Sequence, residues 1–575
     1  MNNGNRSLKV TVKWLCAAIF FTLNSSLFTS CNDFFDILPM NETVLENFWT
    51  EKGDVTSVRN SCYESLASSD ALCRIGLWGE LRSDNLKAGA GVPTDVNEIL
   101  KENLLPSNGY CNWAKIYECI NRCNTVCHYA PGVQAIDPNY SEAEMKADIA
   151  EVSALRALCY FYLIRTFRDV PYTTQPSIDD TQSFIIPATP FEAVLDSLIT
   201  NLEDVKDDAV RRYELERVSG SYYSLPAVNT TRITRIAIYA LLADLYLWKQ
   251  DYDNAIKYCD LVIDYKKQQY EELKERVGNI DEIGLFDDEI PLILECPEGS
   301  GNTCGSTYNA IFGTGNSFES IFELYFSRSQ GHENAWVRDY FGNNTSNGRL
   351  SANDLVFDKV INVVNNKNKL FKKTDGRFYE SFRASGTSMT IGKYVRSSVS
   401  YTTKPLATEE DLKLRQSIRG ENTAPWIFYR LTDMVLIKAE ALIEREAPGD
   451  IAEAFRLINI VNKRANNLTE TLKADDYVTS KMEMQKLIMD ERRREFMFEG
   501  KRWFDLVRRS RRDGNTVYLV AAVLEKIEGN ASAIRAKYAD MNYIYFPYAK
   551  NELKVNPLLE QNPAFTNGED SNFKR

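Results

Sequence analysis

The chain has 575 residues, with 68 Lys and Arg against 80 Asp and Glu, for a formal net charge of −12. That balance argues against phosphate backbones and anionic membranes as partners, since both reward positive surplus. Its length allows a generous hydrophobic core, and its 11% aromatic content could furnish flat stacking surfaces as well as core.

The N-terminus opens with Arg6, Lys9 and Lys13, followed by a short apolar run from Trp14 to Leu23. That run is too short for a bilayer, which needs about 20 residues, so it reads as a cleaved secretory signal over residues 1–30. Leu27-Phe28-Thr29-Ser30-Cys31 resembles a bacterial lipobox, with Phe28 where Leu is more usual, and Cys31 is then the lipidated first residue. An uncleaved anchor is the alternative. Loss of residues 1–30 removes three basic and no acidic residues, leaving a net charge of −15.

Apolar residues recur at helical spacing over 110–130, 142–168, 189–208, 231–249, 251–265, 428–446, 450–466 and 480–509. The joints between them carry a second signal. Ala240 to Trp248, then Lys249-Gln250-Asp251, then Tyr252 to Ala255 reads as a helix, a tight polar turn and a new helix. Ala439 to Leu442, Pro448-Gly449-Asp450 and Ala454 repeat that grammar. Both resemble tetratricopeptide helix pairs, but they lie far apart, so the array is discontinuous. The fold class predicted is mainly α: a scaffold over about 40–270 and 426–510, with a loop-rich second subdomain over about 275–425. A structureless loop of the latter length would be anomalous, so short strands and helices are expected there.

Twelve cysteines remain to be sorted. Cys119, Cys123 and Cys127 stack on one helical face beside His128. A structural zinc site wants four convergent ligands, so small core residues are the preferred reading, and no metal or other cofactor is expected. Cys296 and Cys304 flank a turn that a disulfide could close, in a compartment that permits one.

The densest information lies at residues 490–509. Six consecutive charges, Asp490 to Glu495, sit between Leu487-Ile488 and Phe496-Met497-Phe498, with Trp503, Phe504, Leu506 and Val507 beyond. Flanking aromatics require burial, so the charges must be paired. Asp490 with Arg494, Glu491 with Arg494, Arg492 with Glu495, and Glu499 with Arg502 have the helical spacing to do so.

This stretch, including Arg492, Arg494, Glu495, Arg502, Trp503 and Asp505, resembles the C-terminal helix of the SusD/RagB family of outer-membrane nutrient-binding lipoproteins. Arg430-Leu-Thr-Asp433 with Ala439-Glu440-Ala441, and Asn459-Ile-Val-Asn-Lys-Arg464-Ala465, resemble two further family helices, with Asp433, Asn462 and Lys463 as departures. Phe546-Pro547, Asn556-Pro557 and Gln561-Asn562-Pro563 match the family's closing segment over 511–565. Asn47-Phe-Trp-Thr50, Ser83-Asp84, Ala154-Leu-Arg-Ala157 and Phe167-Arg-Asp-Val-Pro171 agree in the N-terminal half. In the loop-rich part, Phe322-Glu323, Asp375-Gly-Arg377 and Lys393-Tyr394 also match; Asp375 and Arg377 are read as an ion pair or turn lock.

The resemblance covers about 31–565 and implies one SusD-like domain after the signal, spanning 31–575. It implies a lipoprotein on the outer face of the outer membrane, binding oligosaccharides for a SusC-type TonB-dependent transporter. Oligopeptide capture of the RagB type is the alternative, and a structural or adhesion lipoprotein a third reading.

No histidine-based triad, zinc-protease, Walker or EF-hand signature is present, so no enzyme is expected. Sugar capture would stack exposed aromatics on pyranose rings. Trp78, Asp84 and Asn85, and in the loop-rich part Tyr308, Trp336 and Tyr340, are the residues predicted for it. Core packing is the competing reading for each Trp.

Overall fold

The computed structural model describes residues 48–566 apart from 179–184, 214–215, 220–221, 225–226, 279, 298–299, 301–302, 328–330, 354–369, 372–374, 386–387, 403–413, 467–471 and 528. The signal segment and Cys31 lie outside the described residues.

Long helices build one side of the molecule: α1 (Lys52–Ala67), α2 (Ser69–Glu80), α3 (Ala114–Ile136), α4 (Glu142–Phe167), α5 (Phe191–Val205), α6 (Arg235–Lys249) and α7 (Tyr252–Val277). After the loop-rich region come α8 (Leu431–Arg445), α9 (Asp450–Ala465), α10 (Lys481–Glu495) and α11 (Arg502–Asp513). Local chemistry sets their ends. Ser141 Oγ accepts from Glu144 N at 3.3 Å while the Glu144 carboxylate accepts from Ser141 N at 3.1 Å, a capping box that starts α4. Gln250 takes the left-handed region, φ 63°, to end α6, and Asp251 caps α7 one residue later.

The predicted pairing grammar holds: α6 packs on α7, and α8 on α9. The two pairs also meet, because α7 packs along α8 across some 150 residues of intervening chain. Helix α7 outruns the expected end at 265 and reaches Val277, since Lys266, Gln269, Tyr270 and Leu273 continue its buried stripe.

Two predicted helices change. Residues 426–430 (Trp-Ile-Phe-Tyr-Arg) form a strand, not the start of α8, because a fully buried run of aromatic and β-branched residues suits a sheet. The stretch 480–509 is two helices with a turn at 496–501, where Phe498 (φ 66°) and Gly500 (φ 71°) are left-handed. That turn lets Gly500 N donate to Glu80 Oε2 at 3.1 Å. It also admits Gly79, whose added Cβ would collide with the Gly500 carbonyl.

Short strands lie mostly in the loop-rich part, with β1 (Leu86–Ala88) contributed by the scaffold: β2 (Thr303–Cys304), β3 (Ser320–Leu324), β4 (Leu350–Ala352), β5 (Phe382–Ser385), β6 (Ser388–Ile391), β7 (Arg396–Thr402), β8 (Arg415–Ile418) and, at its junction with α8, β9 (Trp426–Arg430). All pair antiparallel. β3 and β9 set Leu324 opposite Trp426, β5 and β6 form a hairpin, and β8, β7 and β2 make a three-stranded sheet in that order. β1 from the scaffold pairs with β4, so backbone ladders join the two parts. Cys296 and Cys304 are disulfide-bonded beside β2. Cys119 and Cys123 are buried, and Cys119 Sγ donates to the Cys62 carbonyl of α1 at 3.4 Å. No helix among the described residues is long and apolar enough to cross a membrane.

Candidate functional site

The six residues expected at a sugar-stacking surface are all buried, and that expectation is corrected here. Trp78, Trp336, Tyr308, Asp84 and Asn85 have no exposure and Tyr340 has 3%. Trp78 Nε1 donates to the Tyr110 carbonyl at 3.0 Å, and its ring meets Phe167 edge-on at 5.3 Å. Trp336 lies 4.7 Å from Tyr340 and 5.3 Å from Phe341 between ring centroids. A Cβ on Gly76 of α2 would stand 2.5 Å from the Trp336 ring, so the glycine makes room for the indole. Tyr340 and Tyr110 share a hydroxyl hydrogen bond. Tyr308 Oη donates to the Gly392 and Arg396 carbonyls at 3.2 and 3.1 Å.

Trp336 and Tyr340 thus join the loop-rich part to the scaffold near Trp78, as a packing seam. An indole buried there contributes about 1.5–3 kcal/mol or more, which wins over solvent exposure. The polar Gly-containing segment before Trp336 signals a loop, but not which way the ring after it turns. Among the described residues, Tyr325 alone of the Phe, Tyr and Trp rings is largely exposed, at 60%.

The charged motif is buried too, and its partners are mostly distant in sequence. Of the four local pairs expected, Glu491 with Arg494 forms, at 2.6 Å. Glu495 instead receives three guanidinium groups: Arg430 at 2.6 Å, Arg464 at 2.5 Å and Arg377 at 2.9 Å. Glu499 binds Lys393 at 2.6 Å and Arg430 at 2.9 Å. Arg492 grips Asp505 with two bonds of 2.9 Å, Arg502 grips Asp84 the same way, and Arg508 pairs with Glu440. Asp375 is both cap and ion pair: it accepts from Arg377 N at 3.1 Å and from its Nε at 2.9 Å. Trp503 carries the Arg82 guanidinium over its ring at 4.3 Å.

Burial by itself would raise the carboxyl pKa of Glu495, but Arg464, Arg430 and Arg377 outweigh it and hold it well below the usual range. Glu499 is held at about 2, burial again being overcome by Arg430 and Lys393. A carboxylate so held is no proton donor near neutrality. The cluster is a clamp: it ties α8, α9, α10 and the Gly376–Ser381 turn of helix together through matched charges.

An open polar groove of about 320 Å³ lies elsewhere on the loop-rich side, lined by Asn343, Asn344, Thr345, Ser346, Asn347, Arg383, Gln416 and Ile418. Gly342 (φ 101°) and Gly348 (φ 78°) bracket the loop, and Asn343 Oδ1 organises it by accepting from Thr345 N at 2.9 Å and Ser346 N at 3.0 Å. Arg383 on β5 forms one wall and Gln416 with Ile418, alternate residues of β8, the other. Sequence reasoning missed this site. Its one local signal was the run Asn-Asn-Thr-Ser-Asn between two glycines, which reads as any polar turn until β5 and β8 are placed beside it.

The SusD family model matches residues 318–565. SusD-like protein P38 of Formosa agariphila is 24% identical over 581 residues, spanning 94% of this chain and 97% of its own length. SusD-like protein P25 of the same organism is 22% identical, over 94% of this chain and 96% of its own. A SusD superfamily crystal structure from Bacteroides thetaiotaomicron superposes with a TM-score of 0.63 at 21% identity, over 90% of this chain and 99% of that one. With the family match running through the buried charge clamp to the closing Asn-Pro segment, relatives alignable nearly end to end and a shared fold, this chain is a SusD-like family protein.

Proposed function

We propose that this protein captures oligosaccharides at the cell surface and delivers them to a SusC-type TonB-dependent transporter of the outer membrane. Proteins of the SusD family are nutrient-binding proteins of the cell surface that bind glycans, and in general not enzymes. The observation that carries the reading to this chain is the open groove at residues 343–347. Its lining is amide, hydroxyl and guanidinium with one aliphatic side chain, the donors and acceptors that a polyhydroxylated ligand needs. In the proposal, a lipid on Cys31 tethers the folded body to the membrane.

Two experiments test it. Titration calorimetry of the chain from residue 32 onward against neutral and charged oligosaccharides and oligopeptides should show binding to sugars; binding to peptides alone would replace the reading with oligopeptide capture. Cys31→Ala should release the protein from membranes or leave an unprocessed precursor, whereas retention at the mature mass would rule out the lipid tether. Co-purification with a TonB-dependent barrel from detergent-solubilised outer membranes checks the partner.

A further inference from the structure

Within the groove's lining the hydrogen-bonding balance leans toward donors. A hydroxyl both donates and accepts, so a neutral glycan site presents both kinds of group. Here three of the four lining amide oxygens already accept a protein N–H. Asn343 Oδ1 accepts from Thr345 and Ser346 as described, Asn347 Oδ1 accepts from Arg383 Nη2 at 3.1 Å, and Gln416 Oε1 accepts from Arg396 Nε at 2.6 Å. What Asn343 and Gln416 leave for the groove is their N–H groups.

Charge points the same way. Arg383 is 6% exposed, donates otherwise to Thr390 Oγ1 at 3.2 Å and the Asn343 carbonyl at 3.4 Å, and has no carboxylate partner among the described residues. Arg396, fully buried behind Gln416, is likewise satisfied by neutral oxygens: the Tyr379, Glu380 and Phe382 carbonyls at 2.5, 3.1 and 2.5 Å. Every clamp arginine described above has a carboxylate; among the described residues these two have none within ion-pair distance. Among the described residues no Asp or Glu lines the groove. Buried guanidinium without a counter-charge is costly, and an anion in the groove would offset that cost through paired, charge-assisted hydrogen bonds.

We infer that the groove between residues 343–347, Arg383 and Gln416 takes the negatively charged unit of an acidic oligosaccharide, with Arg383 as its anion contact. The inference rests on the oligosaccharide reading and narrows it to sugars bearing a carboxylate or a sulfate ester.

Titration of the mature chain with trigalacturonate, a sulfated galactotriose and uncharged galactotriose tests it, the first two arms deciding between carboxylate and sulfate. The expected result is that a charged trisaccharide binds at least about tenfold more tightly than the uncharged one, with the gap shrinking as salt rises. Asn344→Asp, an exposed change that adds a like charge to the groove, should weaken the charged ligand by about tenfold with the melting temperature unchanged. Arg383→Gln should do the same, and because Arg383 also holds the loop, Asn344→Asp is the decisive variant. Equal or tighter binding of galactotriose overturns the inference and leaves the oligosaccharide reading standing. Charged-sugar binding indifferent to Asn344→Asp, or no binding by either charged trisaccharide, also overturns it. Binding confined to oligopeptides overturns both.

Discussion

Arg430 holds Glu495 twice: Nη1 donates to the Glu495 carboxylate at 2.6 Å, and Nη2 donates to the Glu495 main-chain carbonyl at 3.0 Å. One side chain at the junction of β9 and α8 therefore satisfies both the charge and the last-turn carbonyl of α10. Lys393 Nζ takes the same carbonyl at 2.9 Å. Helix C-termini leave such carbonyls without intrahelical donors, so the loop-rich part completes a helix that belongs to the scaffold.

Truncation at this point should be severe. Glu495→Ala removes the carboxylate that Arg377, Arg430 and Arg464 share and leaves three buried guanidinium groups with one counter-charge fewer, at a cost of about 3–5 kcal/mol. Chemical denaturation should show the loss, while molecules that stay folded bind ligand normally. Unchanged stability would contradict the clamp; retained stability with lost binding would make this stretch a ligand contact.

Trp336→Ala should likewise cost about 3–5 kcal/mol, because the indole is fully buried. Gly76→Ala should destabilise through contact with the same ring. In a double-mutant cycle, Trp336→Leu should relieve part of the Gly76→Ala penalty, since the two sites touch. Additive effects would show that the seam does not pack as described.

Acid stability follows from Glu499 and Asp505, each held at about 2 in the fold, with burial overcome by Arg430 and Lys393 for the first and by Arg492 and Arg508 for the second. Folded values below the ordinary 4.5 and 3.8 mean that the unfolded chain binds more protons in that window. Their stabilisation is complete above about pH 5 and is lost as pH falls toward 2. Melting temperature against pH should drop steeply there, and Glu499→Gln should lower the plateau and flatten the drop.

Lys266 gives the basic limb. Burial lowers it from 10.5 to about 7, with Glu319 and Glu323 opposing; its Nζ donates to the Phe318 and Ser320 carbonyls at 2.6 and 3.0 Å. Here too the unfolded state binds the extra proton, so stability rises from about pH 7 toward 10.5. Lys266→Met should abolish that rise, which a pH series of denaturant midpoints would read.

Peptide mapping without reductant should recover Cys296 linked to Cys304. A Cys296→Ser, Cys304→Ser double variant should lose roughly 2–3 kcal/mol from reopening the short loop in the unfolded chain. Two free thiols in the native protein would refute the bridge.

The sequence by itself marked most of the scaffold helices and the family. Apolar spacing marks α3 to α9 because a helix repeats its buried face every 3.6 residues, and the turns at Gln250-Asp251 and Gly449 are written in local chemistry. The charge run at 490–495 also declared its burial, since the aromatics beside it had nowhere else to go. Partners were a different matter: Glu495 meets Arg377, Arg430 and Arg464, and Arg502 meets Asp84 from more than 400 residues away. Helical spacing names only neighbours along one helix, and burial favours whichever guanidinium the fold brings closest. Exposure was decided by tertiary structure alone. Trp336 follows a polar loop yet turns inward because Gly76, in another part of the chain, leaves space for its ring. The groove exists only where the 342–348 loop meets β5 and β8, three segments whose proximity no local pattern encodes.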